Sequence, residues 1–462
     1  MAEDQRRCPS GVDLISGLPD ELLQGILVHL RSARAAARTS VLSRRWRDVW
    51  RHLPALHLDE DDTDDSPPPQ GSFMDTVDAA LGAYLAGPTL ERLSIGPPSS
   101  RSGQPRRAVA ALRFAARGAL ALSLCAAGAF GPAESIKLGL AEQWRLRLPP
   151  AAGLFAALTS LTIHYGRMEG SEITALVCAR CPRLETLGLF VTLVAESDIT
   201  IRSDSLRSLW LWVEKTRGLE IVASRLDWIS LSDIMEAQAR ISAPKLAEVF
   251  WNGDVYHPGW HQFVDAGRRL RRLEIGCCRS VALMRRFNEV DELTLDIDIP
   301  EGIAGYKSFL NETEKLPKCK NLSISLSNQH CLTPAMLHLL RSCSSTRKLS
   351  VQLHSSCNSL GSPCSSSCPC GIEESRRIDG ISLNSLEDVK ITLYRSAHEN
   401  LEFVEQLCRC NATVLKRLVI EYMFSVPRPS AMETFEKTRN MCRPNIEVQF
   451  YVLSAKGLVL LD

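Results

Sequence analysis

Apolar residues in the first sixty positions recur with a helical period in three short bursts. Leu22, Leu23, Ile26, Leu27 and Leu30 share one broad helical face. Pro19, just ahead of them, suits the first turn of a helix, where its missing N–H costs nothing. Ser32 can cap a second helix through Ala35, Ala36 and Thr39. Ser43 can cap a third, on which Trp46, Val49, Trp50 and Leu53 recur at i, i+3, i+4 and i+7 before Pro54 stops it. The pattern predicts a three-helix unit over residues 13–58. So few residues bury little surface. A unit this small and this apolar implies a partner that covers it.

Further along, the period changes. The motif Leu-x-x-Leu-x-Leu, or a close variant, starts at Leu90, Leu158, Leu184, Leu206, Leu226, Leu246, Leu270 and Val290. It returns at Cys319, Thr346, Leu386 and Leu415. From 158 to 290 the start-to-start spacings are 26, 22, 20, 20, 24 and 20 residues, near the roughly 20–29 of leucine-rich repeats. Each unit reads as a short strand with its leucines turned inward. One unit cannot bury its own apolar face, so neighbours stack and share a core. The expectation is an α/β chain: an N-terminal three-helix module, then an irregular leucine-rich-repeat solenoid over 73–383 whose parallel strands line a concave wall. Helices fit the wider returns, as in EITALVCARCP, AMLHLLRSCS and NLEFVEQLCRC. Where the spacing is about 20, the return is expected to be extended or in short turns. A β-sandwich or a parallel α/β enzyme is the structural rival. No G-x-x-x-x-G-K-[ST] or G-x-G-x-x-G follows any strand.

Strand side chains alternate between faces. In LRSLWLW this puts Trp210 and Trp212 opposite the inward Leu209 and Leu211. Trp228, Phe250 and Phe190 fall at equivalent positions. Trp210, Trp212, Trp228 and Phe250 are therefore the candidate target-binding residues, because large aromatics on an open surface suit hot-spot recognition. The alternative is that a loop or the C-terminal tail covers them, or that the register is off by one.

Composition narrows the function classes. Hydrophobic residues make up 45% of the 462, enough for a sizeable core. With 54 basic and 53 acidic residues the formal charge is +1, which gives no reason to expect nucleic-acid binding. The run Arg268-Arg269-Leu270-Arg271-Arg272 reads as a solvated repeat edge. No apolar run reaches the length of a membrane span, and MAEDQRRCPSG lacks the apolar core of a secretory signal. A cytoplasmic or nuclear location is expected. The sixteen cysteines are then expected to be mostly reduced, and Cys178 and Cys181 to be small buried hydrophobes without metal. Cys357, Cys364, Cys368 and Cys370 lie in a Ser-rich insertion, 355–380. It reads as an exposed loop, with zinc binding or redox-labile thiols as alternatives. Residues 59–72, acidic then Pro-rich, read as a linker, and 1–12 as a disordered tail. No catalytic constellation is visible: Cys8 and Cys125 lack a nucleophile motif, and His164, His257, His261 and His398 are scattered. Neither catalytic residue nor cofactor is expected.

The N-terminal residues carry a family resemblance. Leu18-Pro19, Leu22-Leu23, Ile26-Leu27, Leu30, Thr39-Ser40, Val41-Leu42-Ser43, Arg44-Arg45-Trp46 and Trp50 resemble the F-box in its plant form. Residues 31–35, basic and Ala-rich, depart from relatives that carry Pro and acidic residues there. The C-terminal stretch 384–462 resembles the FBD-type tail of plant F-box proteins, through Leu386-Glu387-Asp388-Val389, His398-Glu399, Phe403-Val404 and Leu415-Lys416-Arg417-Leu418. The resemblance implies a non-catalytic subunit of a Skp–cullin–F-box ubiquitin ligase. Leu18, Pro19, Leu22, Ile26, Leu30, Leu42 and Trp46 would dock a Skp-type adaptor and, through it, a cullin scaffold. The repeat wall would hold an unknown target protein. The alternative is an interaction scaffold that delivers nothing for degradation.

Overall fold

The computed structural model describes residues 15, 17–30, 32–59, 92–96, 121–123, 134–140, 142, 145–147, 154–234, 237–252, 255–276, 281–300, 302–328, 332–355, 368–371, 378, 381–394, 400–410, 412–423, 428–454 and 457–461. The expected tail, most of the linker, Cys8, Cys125, Cys357, Cys364 and His398 lie outside them. The chain divides into two compact units, Met1–Leu206 and Arg207–Asp462.

The first unit opens with helices Asp20–His29, Ala33–Arg38 and Trp46–Val49. The Ser32 hydroxyl caps the second helix, accepting from the Ala35 N–H at 3.2 Å. Pro19 sits at the N-cap of the first helix rather than inside its first turn. Ser43 caps nothing: the third helix starts after Arg45 without a side-chain cap and tightens into a 3₁₀ turn over Trp50–His52. Leu23 and Leu27 pack inward with Ala33, Ala36, Trp46, Val49 and Leu53. Arg45 clips the third helix to the first, donating to Asp20 Oδ1 at 2.8 Å and to the Leu18 carbonyl.

Ala55–Asp59, which the sequence reading divides between the helical module and the linker, is instead strand β1. It pairs in parallel with β2 (Arg92–Gly96), so the sheet begins ahead of the acidic segment. Strand β3 is Ala121–Ser123, β4 Ser135–Gly139, β5 Arg145–Arg147, β6 Ser160–Met168 and β7 Thr186–Arg202. One parallel row runs β1–β2–β4–β6–β7; β3, β5 and the far end of β6 start a second. β6 passes between the rows at a register shift between His164 and Arg167. Tyr165 (φ 62°) and Gly166 (φ 79°) turn the corner in left-handed conformations. A helix over Gly170–Ala175, held by a Glu169/Glu172 capping box, runs into a wider turn over Leu176–Arg180. It begins two residues ahead of EITALVCARCP and continues into it, as the apolar period of that segment requires.

The second unit holds β8 (Ser208–Val222), β9 (Trp228–Ser232), β10 (Gln238–Ser242), β11 (Glu248–Asn252), β12 (His261–Phe263), β13 (Arg269–Gly276), β14 (Glu289–Ile299), β15 (Asn321–Asn328), β16 (Lys348–Ser355), β17 (Asp388–Leu393), β18 (Arg417–Tyr422), β19 (Glu447–Ser454) and β20 (Gly457–Leu461). The first half of β8 leads one parallel row, β8–β9–β11–β13 and onward in sequence to β19. Its second half leads another, β8–β10–β12. Lys215 (φ 64°) and Asp233 (φ 59°) lie at the corners between these rows. The extended returns expected for the 20-residue repeats are thus strands in their own right. Beyond β13 the returns carry helices, at Val281–Arg286, Gly302–Glu312, Leu332–Leu340, Asn400–Arg409 and Arg428–Met441. β20 folds back antiparallel on β19 and covers a sheet edge that would otherwise invite pairing.

Candidate functional site

The first helix presents two apolar faces. Leu23 and Leu27 face the core, while Leu22, Ile26 and Leu30, one turn apart, are 55%, 46% and 45% exposed. Leu42 adds to the outward surface at 66%. Ile15 and Val41, not singled out from the sequence, are exposed as well. Leu18 is half-buried and Pro19 exposed. Trp46 differs: at 6% exposure it is covered by the chain's own residues, so its first role is to hold the helices together.

On the first row of the second unit, Leu209, Leu211, Ile229, Leu231, Val249 and Trp251 point inward. The open face carries Trp210, Trp228 and Phe250, all half-buried, and Trp212 at 45% exposure. The register is the one the motif implies. Ring centroids of Trp210 and Trp228 lie 4.1 Å apart, and those of Trp228 and Phe250 4.8 Å, both pairs tilted. Arg272 extends this ladder with its guanidinium 5.0 Å from the Phe250 ring, within cation–π range. The same side chain pairs with Glu274 at 3.0 Å. Trp210 and Phe250 flank Ser230, and Trp228 and Arg272 flank Glu248, so the rings step across the strands in a zigzag. Trp212 stands opposite Ser232, further along the strand. Phe190 lies in the first unit and stacks on His164 at 4.6 Å. Tilted rings with one cationic end suit flat apolar or aromatic groups. Arg272 was not singled out from the sequence, although LRRLEI sets it at the place that Trp228 has in LDWISL.

The basic run around Leu270 is a repeat edge. Leu270 and Leu273 are buried, Arg269 reaches Asp291 at 3.2 Å, and Arg271 pairs with Glu248. Cys178 is exposed, with its sulfur 3.4 Å from the Thr200 carbonyl. Cys181 is buried, and burial pushes its thiol up to about 12, so it is no nucleophile at neutral pH. Cys368 and Cys370 are buried with sulfurs 3.2 Å apart. Among the described residues no group of three His, Cys, Asp or Glu side chains is placed to hold a metal. His261 is fully buried: its Nδ1 accepts the His257 N–H at 3.0 Å and its Nε2 lies 3.4 Å from the Ile234 carbonyl. Burial lowers its pKa and the nearby His257 adds to the shift, against the carbonyl contact. Among the described residues no helix is long and apolar enough to cross a membrane.

Comparisons with known proteins agree with this architecture. The family model for the leucine-rich repeats of FBD-associated F-box protein At5g56370 matches residues 109–250. An F-box/LRR-repeat protein of Arabidopsis thaliana, At5g02930, is 24% identical over 463 residues, spanning 92% of this chain and 90% of its own. The resemblance to plant F-box/leucine-rich-repeat proteins holds. Shorter stretches are closer to other F-box relatives in Arabidopsis thaliana. FBD-associated F-box protein At5g18780 is 52% identical over 79 residues, 17% of this chain and 18% of its own. F-box/FBD/LRR-repeat protein At5g22660 is 49% identical over 57 residues, 12% of each.

Proposed function

We propose that this chain selects target proteins for a Skp–cullin–F-box ubiquitin ligase and makes no covalent bond itself. Its contribution is proximity, which raises the effective concentration of the target at the ligase. The observation that carries the reading is the division of one helix into two apolar faces. Leu23 and Leu27 complete the chain's own core, yet Leu22, Ile26 and Leu30, with Leu42, remain outside it. Burying a side chain of this size contributes about 1.5–3 kcal/mol, so a contiguous outward stripe is a surface that gains by being covered. These positions match the F-box motif, and a Skp-type adaptor is the occupant that the family implies. The aromatic ladder is the complementary surface, the one that would hold a target.

Leu22→Ala combined with Ile26→Ala should weaken capture of the adaptor by at least about a hundredfold. The fold should stay intact, since both side chains point to solvent. Undiminished capture would sink the docking model. A target whose half-life is unchanged by deletion of residues 13–58 would instead leave the chain an interaction scaffold.

A further inference from the structure

Beyond the aromatic ladder, the first row of the second unit holds an open cavity of about 590 Å³, a volume typical of small-ligand sites. The register explains why it is there. Thr294, Ser323 and Ser350 stand abreast on β14, β15 and β16, with Lys390 next to them on β17. Three short side chains in line leave a depression about 10 Å across, given strands about 4.8 Å apart. The row nearer the strand starts is taller: Glu292, Asn321, Lys348, Asp388 and Arg417.

Charge decides what fits. The cavity is lined by four cations, Arg272, Lys348, Lys390 and Arg417, and three carboxylates, Glu292, Asp388 and Glu421. Two of the three carboxylates already hold a cation. Lys390 lies 2.9 Å from Glu421, which also accepts from the Thr392 hydroxyl at 3.2 Å. Arg417 lies 3.5 Å from Asp388, and the Asn321 amide reaches Glu292 at 3.4 Å. Lys348 has no ion pair among the described residues, and the hydroxyls of Thr294, Ser323 and Ser350 have no hydrogen bond among them. On the β15–β16 side of the cavity, what is unspent is therefore the Lys348 charge and the hydroxyl donors, while Glu292, two strands from Lys348 on β14, keeps its own charge. A cationic ligand would find two of the three carboxylates already paired.

We propose that this cavity is an oxyanion site. It takes a carboxylate or phosphate group against Lys348, with hydroxyl donors from Ser323 and Ser350. Charge-assisted hydrogen bonds of this kind are about twice as strong as neutral ones. The site does not depend on adaptor docking, and it meets the aromatic ladder only at Arg272.

Titration of the full chain with pyrophosphate and with citrate, at constant ionic strength, tests it by calorimetry. At least one should bind with a Kd of about 1 mM or tighter. Lys348→Ala should weaken that binding by about tenfold or more. Lys320→Ala, which removes a rim lysine paired with Asp291 outside the cavity, should leave it unchanged. Ser350→Ala should weaken it less. Melting temperatures of the unliganded variants should match the parent, because Lys348 is exposed. A preference for pyrophosphate assigns phosphate, and one for citrate assigns carboxylate. Peptides bearing phosphoserine or glutamate then separate a target side chain, which binds more tightly than the free anion, from a small free anion, which does not. Absence of binding by both probes would overturn the proposal, as would equal weakening by Lys348→Ala and Lys320→Ala.

Discussion

The stretch β8–β11 and the stretch β14–β17 share one backbone plan and differ in what they show to solvent. Both are parallel ladders with aliphatic residues turned inward. In the first, paired residues such as Trp228 and Glu248 are 20 positions apart, and part of the return forms the second strand row. In the second, Glu292 and Asn321 are 29 apart and Asn321 and Lys348 27 apart, and the returns hold helices. The added seven to nine residues make room for the helix, which advances only about 1.5 Å per residue. The open faces then diverge: three tryptophans and a phenylalanine on one, threonine and serines on the other. Inward positions specify the stack, and alternate positions are free to specify a ligand.

The largest expected effect follows from that division. Trp251 is inward and fully buried, in contact with Tyr256, His261 and Phe263. Trp212 is outward. Trp251→Ala should cost about 3–5 kcal/mol in urea unfolding, as large core truncations do. Trp212→Ala should stay within about 0.5 kcal/mol. Comparable losses from the two would erase the distinction between faces.

A smaller effect concerns target binding. Trp228 sits mid-ladder, with ring contacts to both Trp210 and Phe250. If the ladder is a hot spot, Trp228→Ala should weaken target binding by about 2 kcal/mol, some thirtyfold. Adaptor capture should not change, since the outward stripe belongs to the other unit. Unfolding of the repeats without a selective loss of target would defeat the assignment. The same substitution strategy on β15, Ser323→Ala, should leave this target affinity unchanged if the two faces serve different ligands.

Much of this was legible in the sequence because period-two alternation is a local signal. Leu209, Leu211, Ile229, Leu231 and Val249 are inward as the motif places them, and that fixes Trp210, Trp228 and Phe250 on the open face. What was not legible depends on alignment between strands. Arg272 holds the place in LRRLEI that Trp228 has in LDWISL, but its contact with the Phe250 ring on the neighbouring strand is not a property of either motif alone. The hydroxyl row needs three strands in line, although NLSISLSN already shows serine at three successive outward positions. The second strand row was missed because QARIS and HQF are too short for a period to declare itself. Ser43 failed as a cap because the N-cap position of the third helix falls two residues later, at Arg45, which is itself in helical conformation.

The smallest effect tests whether the two stretches share one dependence on acid. His261 lies under the strand-backed part, and His338, on the helix Leu332–Leu340, lies under the helix-backed part. His338 sits 3.0 Å from the Thr313 hydroxyl and edge-on to Phe309. Burial is the leading cause that lowers both pKa values below the usual 6.5, with help from His257 at the first and Arg341 at the second. A histidine held neutral in the folded chain is protonated sooner in the unfolded one. Stability is therefore fully present above about pH 6.5 and is lost as pH falls from there through the folded pKa. While only the unfolded state is protonated, each histidine contributes at most about 1.4 kcal/mol per pH unit. Urea unfolding between about pH 5 and 8 should show a plateau on the alkaline side and a fall on the acid side. His261→Gln keeps an N–H donor for the Ile234 carbonyl and should remove one proton's share of the slope. His338→Gln should remove another, and the two should add, because the sites share no partner. A stability that rose on acidification would reverse the assigned sign. A slope untouched by either replacement would place the titrating groups elsewhere in the chain.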